Sequence, residues 1–186
     1  MKGALDGYNA IMDLLSANKI ENMKVKEISE INYYGSMAKT AMNRSLSDKI
    51  LDVDIDFAYD VLVNGAEKDD LFKPRTIAKG KSNAYYDYYV QYFNGQYGNI
   101  VYDYHQPEQE NLLILSDSYA WQIDYLIAAS FNKTHVINLR YGEYANGTFD
   151  IEKYAKDNNI SKVLFLYEGG STLFDQYDYN FVGKVK

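Results

Sequence analysis

Apolar positions along this chain fall into short blocks, and their spacing changes from block to block. Ala4, Leu5, Tyr8, Ile11, Met12 and Leu15 recur every three or four residues. That period predicts an amphipathic helix with one apolar face and a stop near Asn18. Asp52-Val53-Asp54-Ile55-Asp56-Phe57 alternates instead, with acids on one side and Val53, Ile55 and Phe57 on the other. Alternation is the signature of a half-buried strand, here leading on towards Val63. Glu67 to Pro74 reads as a charged loop. Between Asn83 and Tyr104, the aromatic run Tyr85–Phe93, the turn residues Asn94-Gly95 and Gly98-Asn99, and the returning Ile100-Val101-Tyr102 predict an antiparallel hairpin.

The next stretch organises the rest. Leu112 to Leu115 is an uninterrupted apolar run, as in a strand buried on both faces. Polar Ser116, Asp117 and Ser118 follow, then apolar residues at helical spacing from Trp121 to Phe131, then a second apolar run from Val136 to Leu139. Asp150 is a suitable N-cap for a short helix that Asn158-Asn159 closes, and Ser161 to Tyr167 is a third strand. The expectation is one α/β domain over residues 1–186. Its parallel sheet is built from Asn111–Ser116, His135–Arg140 and Lys162–Tyr167, with the Tyr-rich hairpin as an antiparallel extension. Open α/β sheets place their chemistry beyond the carboxyl ends of the strands, next to helix N-termini that favour negative charge. Ser118 is the candidate nucleophile at such an end. Arg140, ending the second strand, is expected at the same rim, either to recognise a carboxylate or acyl oxygen or to form a surface ion pair.

Composition narrows the classes. A net charge of −7 over 186 residues argues against nucleic acid, which needs clustered Lys and Arg. Cysteine is absent, which excludes disulfides and thiolate metal sites. No apolar run approaches the roughly 18 residues of a membrane span, and Met1-Lys2 leads into the first helix without a signal-peptide pattern. The spacing of Asp52, Asp54 and Asp56 invites a calcium loop, but the sixth position is Phe57 where a glycine is needed and the twelfth is Val63 where a glutamate is needed. Neither a metal nor a cofactor is expected. The 20 tyrosines are unusual, and they suit either a plain Tyr-rich hairpin or a sugar-facing surface.

Asp117-Ser118-Tyr119-Ala120 after the Ile114-Leu115 strand, Val136 to Arg140, and Lys162 to Tyr167 together resemble the bacterial DHHW proteins. These belong with SGNH-hydrolase-like proteins and are related to the alginate O-acetylation proteins. The resemblance runs from about Met1 to Phe181. It implies a three-layer αβα, SGNH/flavodoxin-like fold, with Ser118 as the nucleophile of acyl transfer and helix-start amides beside it holding the oxyanion. It further implies an O-acyl esterase or O-acetyltransferase acting on a cell-surface polysaccharide, in the cell envelope or outside the cell. The alternative is a non-catalytic carbohydrate-binding or assembly module on the same fold. Gly3-Ala4 and the helix to Leu15 match the helix that follows the family's Asp-His-His-Trp motif, so the Asp and His partners of Ser118 are expected just before Met1. Gly35-Ser36 resembles the family's Gly-Ser segment; its amides are candidates to cradle an oxyanion, against the reading of a plain turn.

The chain has two histidines, His105 and His135. Asp103 and His105 would share a strand face, as a base and its orienting group do. Both histidines are nevertheless expected at the end of the sheet away from Ser118. Glu168, near the place where related enzymes carry an oxyanion-holding Asn, would repel developing negative charge. A sheet edge left open predicts a possible homodimer.

Overall fold

The computed structural model describes residues 2–21, 23–27, 32–49, 51–55, 59–67, 95–145 and 148–168. Within them the elements run α1 (Lys2–Leu15), β1 (Lys24–Glu27), α2 (Ser36–Thr40), β2 (Leu51–Asp54), β3 (Asp60–Val63), β4 (Ala66–Glu67), β5 (Asn99–Asp103), β6 (Asn111–Ser116), α3 (Asp124–Ala128), β7 (Lys133–Ile137), α4 (Ile151–Asp157) and β8 (Ile160–Leu166). Single 3-10 turns lie at Ser118–Gln122 and Gly142–Tyr144. They divide into two compact units.

In the smaller unit β1 pairs antiparallel with β2, Val25 opposite Val53, and Val53 is buried. This agrees with the alternation in Asp52–Ile55. Tyr33 and Asp48 exchange main-chain hydrogen bonds at 2.7 and 2.8 Å. The short helix α2 follows, its first turn closed by Lys39 N–H donating to the Gly35 carbonyl at 3.0 Å.

The larger unit holds a six-stranded mixed sheet in the order β4-β3-β5-β7-β6-β8. Strand β6 lies between β7 and β8 and is parallel to both, while β5, β3 and β4 continue the sheet antiparallel. The three strands expected to be parallel are parallel. The fold is α/β with a mixed sheet. Strand β5 is an inner strand between β3 and β7, whereas the sequence suggested that Ile100–Tyr102 returns against Tyr85–Phe93; that other arm lies outside the described residues.

Pairing register sorts the core into two faces. Leu113 lies opposite His135 and Leu115 opposite Ile137. With Leu139 and Phe149 these leucines and Ile137 form one buried cluster, against which Tyr144, Ile151, Tyr154, Ile160 and Tyr167 pack. Leu112, Ile114, Val136, Ile100 and Tyr102 occupy the other face and are buried. All five residues of α3 are buried there too, and the Tyr102 hydroxyl bonds Asp124 of α3. Helix α1 packs its Tyr8–Met12 stripe inward, as its periodicity predicts, and packs against α3. It ends earlier than Asn18, with Ser16 in the left-handed region at φ 52°.

Two local expectations change. The helix predicted from Trp121 to Phe131 is split into the 3-10 turn and α3, with Ile123 between them. The break falls at Ile123, whose N–H donates to the Ala120 carbonyl at 2.9 Å, an i to i+3 bond that closes the 3-10 turn before α3 begins. The second strand ends at Ile137, three residues short of Arg140. Asn138 breaks it: its Oδ1 accepts from Arg140 N–H at 3.1 Å and its carbonyl from Tyr141 N–H at 3.2 Å, an Asx turn in place of more ladder. Elsewhere the capping signals hold. Asp150 Oδ1 accepts from Lys153 N–H at 2.9 Å at the start of α4, and Asn159 takes a left-handed φ of 53° just past its end.

Burial on both faces makes β6 the most sensitive strand. Ile114→Ala, at a position with 0% exposure, is expected to lower unfolding free energy by about 2–5 kcal/mol in urea denaturation.

Candidate functional site

Strand β6 ends at Ser116, and the chain turns at once. Asp117 is extended (φ −101°, ψ −171°) and caps the 3-10 turn, its Oδ1 accepting from Tyr119 N–H at 2.9 Å. Its other oxygen, Oδ2, accepts from Glu168 N–H at 2.9 Å, two residues past the end of β8. One buried carboxylate therefore ties together the carboxyl ends of two parallel strands. Tyr167, beside it, has its phenol pushed up by burial and by the charge of Asp117. Ser118, first in the turn, is half-buried, and Tyr119 after it is exposed.

This geometry revises the expectation that helix-start amides beside Ser118 hold an oxyanion. Tyr119 N–H is taken by Asp117 Oδ1, and Ala120 N–H donates to the Asp117 carbonyl at 3.3 Å. Glu168 meets the rim through its amide, which donates to Asp117.

Arg140 reaches the same end of the sheet as Ser118, from the turn after β7 and not from the strand itself. Its guanidinium carbon lies 5.3 Å from the centre of the Tyr141 ring, and that ring is 6.3 Å from Trp121, three residues after Ser118. In a 3-10 turn residues three apart share a face, so the Arg140–Tyr141 pair borders the column that carries Ser118. Gly98 allows this close approach: a Cβ there would meet the Tyr141 carbonyl oxygen at 2.3 Å. Gly98 also accepts from Asn138 N–H at 2.9 Å. The sequence suggested a hairpin turn at Gly98-Asn99, but Asn99 already begins β5.

Asn138 was missed as a candidate. Its side chain is buried, and Nδ2 has no hydrogen-bond acceptor. Parallel register places it level with Ser116, whose buried Oγ is likewise unpartnered. An Asn at the end of an apolar run was the available signal.

Both histidines sit where they cannot serve Ser118. Asp103 lies opposite Lys133, the first residue of β7, so His105 is at the far end of the sheet, roughly 16 Å of strand from the Ser118 rim. There His105 bonds Asp60 at 2.8 Å through Nε2 and faces Asp103 at 3.3 Å through Nδ1. Burial alone would raise the Asp103 carboxyl, yet Lys133 and His105 hold it below its usual value. His135 lies inside β7, not at its entry; its Nδ1 is 2.9 Å from Tyr154 Oη on the face away from α3. Burial is the main cause that lowers its pKa to about 4.

Gly35 and Ser36 belong to the smaller unit. A Cβ at Gly35 would lie 3.9 Å from the Tyr33 ring, an ordinary contact, so the surroundings within that unit do not demand glycine. Among the described residues no group of three or more His, Cys, Asp or Glu could hold a metal, and no helix is long and apolar enough to cross a membrane.

No family model matches the sequence, and no curated protein matches it. Solved structures do share its fold. Bacillus cereus PatB1 with a sulfonyl adduct superposes with a TM-score of 0.65 at 22% identity, covering 90% of this chain and 57% of that one. A second structure of Bacillus cereus PatB1 gives 0.61 at 23% identity, covering 87% and 55%. A DHHW family protein from Eubacterium siraeum gives 0.60 at 17% identity, covering 86% and 53%. The chain thus spans a little over half the length of these neighbours, and among them is a protein of the family its motifs resemble.

Two outcomes follow from the site. Asp117→Ala removes the acceptor for two amides, so exchange at Tyr119 and Glu168 should quicken roughly ten- to hundredfold, from about 1–3 kcal/mol lost per unsatisfied group; hydrogen exchange read by NMR checks this. For His135 the folded value near 4 lies below the ordinary 6.5. Its contribution is complete above 6.5 and is lost as pH falls towards 4, because the unfolded chain takes the proton first. In urea titrations the wild type should lose on the order of 2 kcal/mol relative to His135→Asn across that window.

Proposed function

We propose that this chain is the nucleophile-bearing part of a DHHW-type, SGNH-like acyl-transfer domain of three-layer αβα build, acting on a polysaccharide at the cell envelope or outside the cell. The observation that carries this reading is the setting of Ser118. It is a half-buried hydroxyl just beyond the carboxyl end of a central parallel strand, on a turn clamped by Asp117 to the neighbouring strand end. Active sites of open α/β sheets occupy that place. The similar fold of a DHHW family protein and of PatB1, which accepts a sulfonyl adduct, supports the same reading.

In this mechanism Ser118 Oγ attacks an acyl carbonyl while a base takes its proton. The tetrahedral intermediate expels the donor's alcohol, which recovers a proton, and leaves an acyl-serine. A sugar hydroxyl then takes the acyl group in the transferase reaction, or water takes it in the esterase reaction. Asn138 Nδ2 and the Arg140 guanidinium, both from the turn after β7, are proposed to receive the acyl oxygen or a substrate carboxylate. Neither His105, at the far end of the sheet, nor His135, bonded to Tyr154, is placed to act as that base. The placement of both histidines equally favours the second reading, a carbohydrate-binding or assembly module that keeps the fold without the chemistry.

Sulfonyl fluoride treatment followed by peptide mass spectrometry separates the two. The acyl-transfer reading expects the adduct on Ser118 at least tenfold above exposed Ser45, faster with added imidazole as surrogate base, and lost in Ser118→Ala. Equal modification of Ser45 and Ser118, or none on Ser118 with imidazole present, would overturn it.

A further inference from the structure

Asp124 is the first residue of α3, two positions after the Ser118 turn ends. It is a carboxyl group with no exposure to solvent. Oδ1 accepts from its neighbour Tyr125 N–H at 2.6 Å and from Tyr102 Oη, on inner strand β5, at 3.1 Å. Oδ2 has no partner. This side chain is therefore a polar tie between the segment carrying Ser118 and the sheet beneath it.

The groups around it are phenols. Strand β5 contributes Tyr102, and the chain just beyond contributes Tyr104, whose hydroxyl donates to the Tyr125 carbonyl at 3.0 Å. Tyr59, before β3, stacks on Tyr104 at 4.7 Å and meets Tyr102 edge-on at 6.2 Å. Helix α3 itself brings Tyr125, while the inward-packed phenol of α1, Tyr8, is engaged elsewhere, its hydroxyl accepting from Ile20 N–H at 2.8 Å. The titratable residues of β7, Lys133 and His135, project from the opposite face, where Lys133 pairs with Asp103 and His135 with Tyr154. Among the described residues no Lys or Arg pairs with Asp124. An ionised carboxylate here would have one oxygen without a protein partner and, among the described residues, no counter-charge. The neutral acid loses far less by burial, and burial accordingly raises the group to about 7. Tyr102 and Tyr104 are themselves pushed up by burial, so the phenols stay neutral over the range in which Asp124 titrates.

We propose that Asp124 is a positioning residue that works as a proton-operated latch: neutral, it seats the Ser118 turn and α3 on the sheet, and ionised, it loosens them. The cheapest relief for the buried charge is to admit water, and the short, capless start of α3 is where water can enter. The sign follows from linkage. The folded value is raised above the ordinary 3.8, so the contribution to stability is complete below about pH 4 and is lost as pH rises through about 7.

The test compares wild type with Asp124→Asn, which keeps an acceptor for Tyr125 and Tyr102 but cannot ionise. In urea melts the variant should match or fall slightly below wild type at pH 5 and exceed it at pH 8.5. Amide exchange across Ser118–Ile123, corrected for its intrinsic pH dependence, should quicken at least tenfold in wild type between those pH values and stay flat in the variant. An equal stability deficit at both pH values, or the same exchange profile in both proteins, would refute the latch. Tyr102→Phe is the second variant: removing a donor to the carboxylate should move the exchange midpoint to higher pH, and an unmoved midpoint would show that another group titrates. The consequence for Ser118 reactivity rests on the acyl-transfer reading, but these readouts do not. Loss of sulfonyl labelling alongside an intact exchange profile would sink that reading and leave the latch standing.

Discussion

Asp117 accepts two main-chain amides, one from each side of the gap between β6 and β8. Parallel strands β6 and β8 finish side by side. Without a shared acceptor, the amides of Tyr119 and Glu168 would need water or separate partners, and the two exits would drift independently. A carboxylate suits this task because it offers two oxygens and no donor that must be satisfied. Its charge is held close to the start of the 3-10 turn, where main-chain N–H groups point back at it. The backbone of the turn that carries Ser118 is held by that arrangement.

Two buried titratable side chains, on opposite faces of one sheet, pull the pH dependence of stability in opposite directions. His135 resists taking a proton and Asp124 resists losing one, and burial is the leading cause for each. Their windows overlap between about pH 4 and 7, so there the two contributions oppose each other.

The architecture was legible because its strands differ in how they are buried. Leu112–Leu115 has no polar face, and β6 is covered on both sides. The α1 stripe and the Asp150 cap were visible for similarly local reasons. The errors came where tertiary contacts outweighed local pattern. Gly98 looked like a turn residue but is small because another loop's carbonyl lies against it. Arg140 was placed on a strand that Asn138 had already ended. Ser118 could be found from a polar break after an apolar run; the role of Asp117 in bridging to residue 168 could not, since it depends on which strand lies next to β6. Nothing in the sequence singled out Asp124, and only its burial marks it.

Gly98 also limits how this rim can diversify. Any other residue there would drive its Cβ into the Tyr141 carbonyl, so the backbone path through residues 138–142 and the entry to β5 must be inherited as one piece. Side chains at Arg140 and Tyr141 can be exchanged without disturbing that path, while lengthening or re-routing the loop would require the opposing strand to shift with it. A scaffold locked at one glycine can still be repainted.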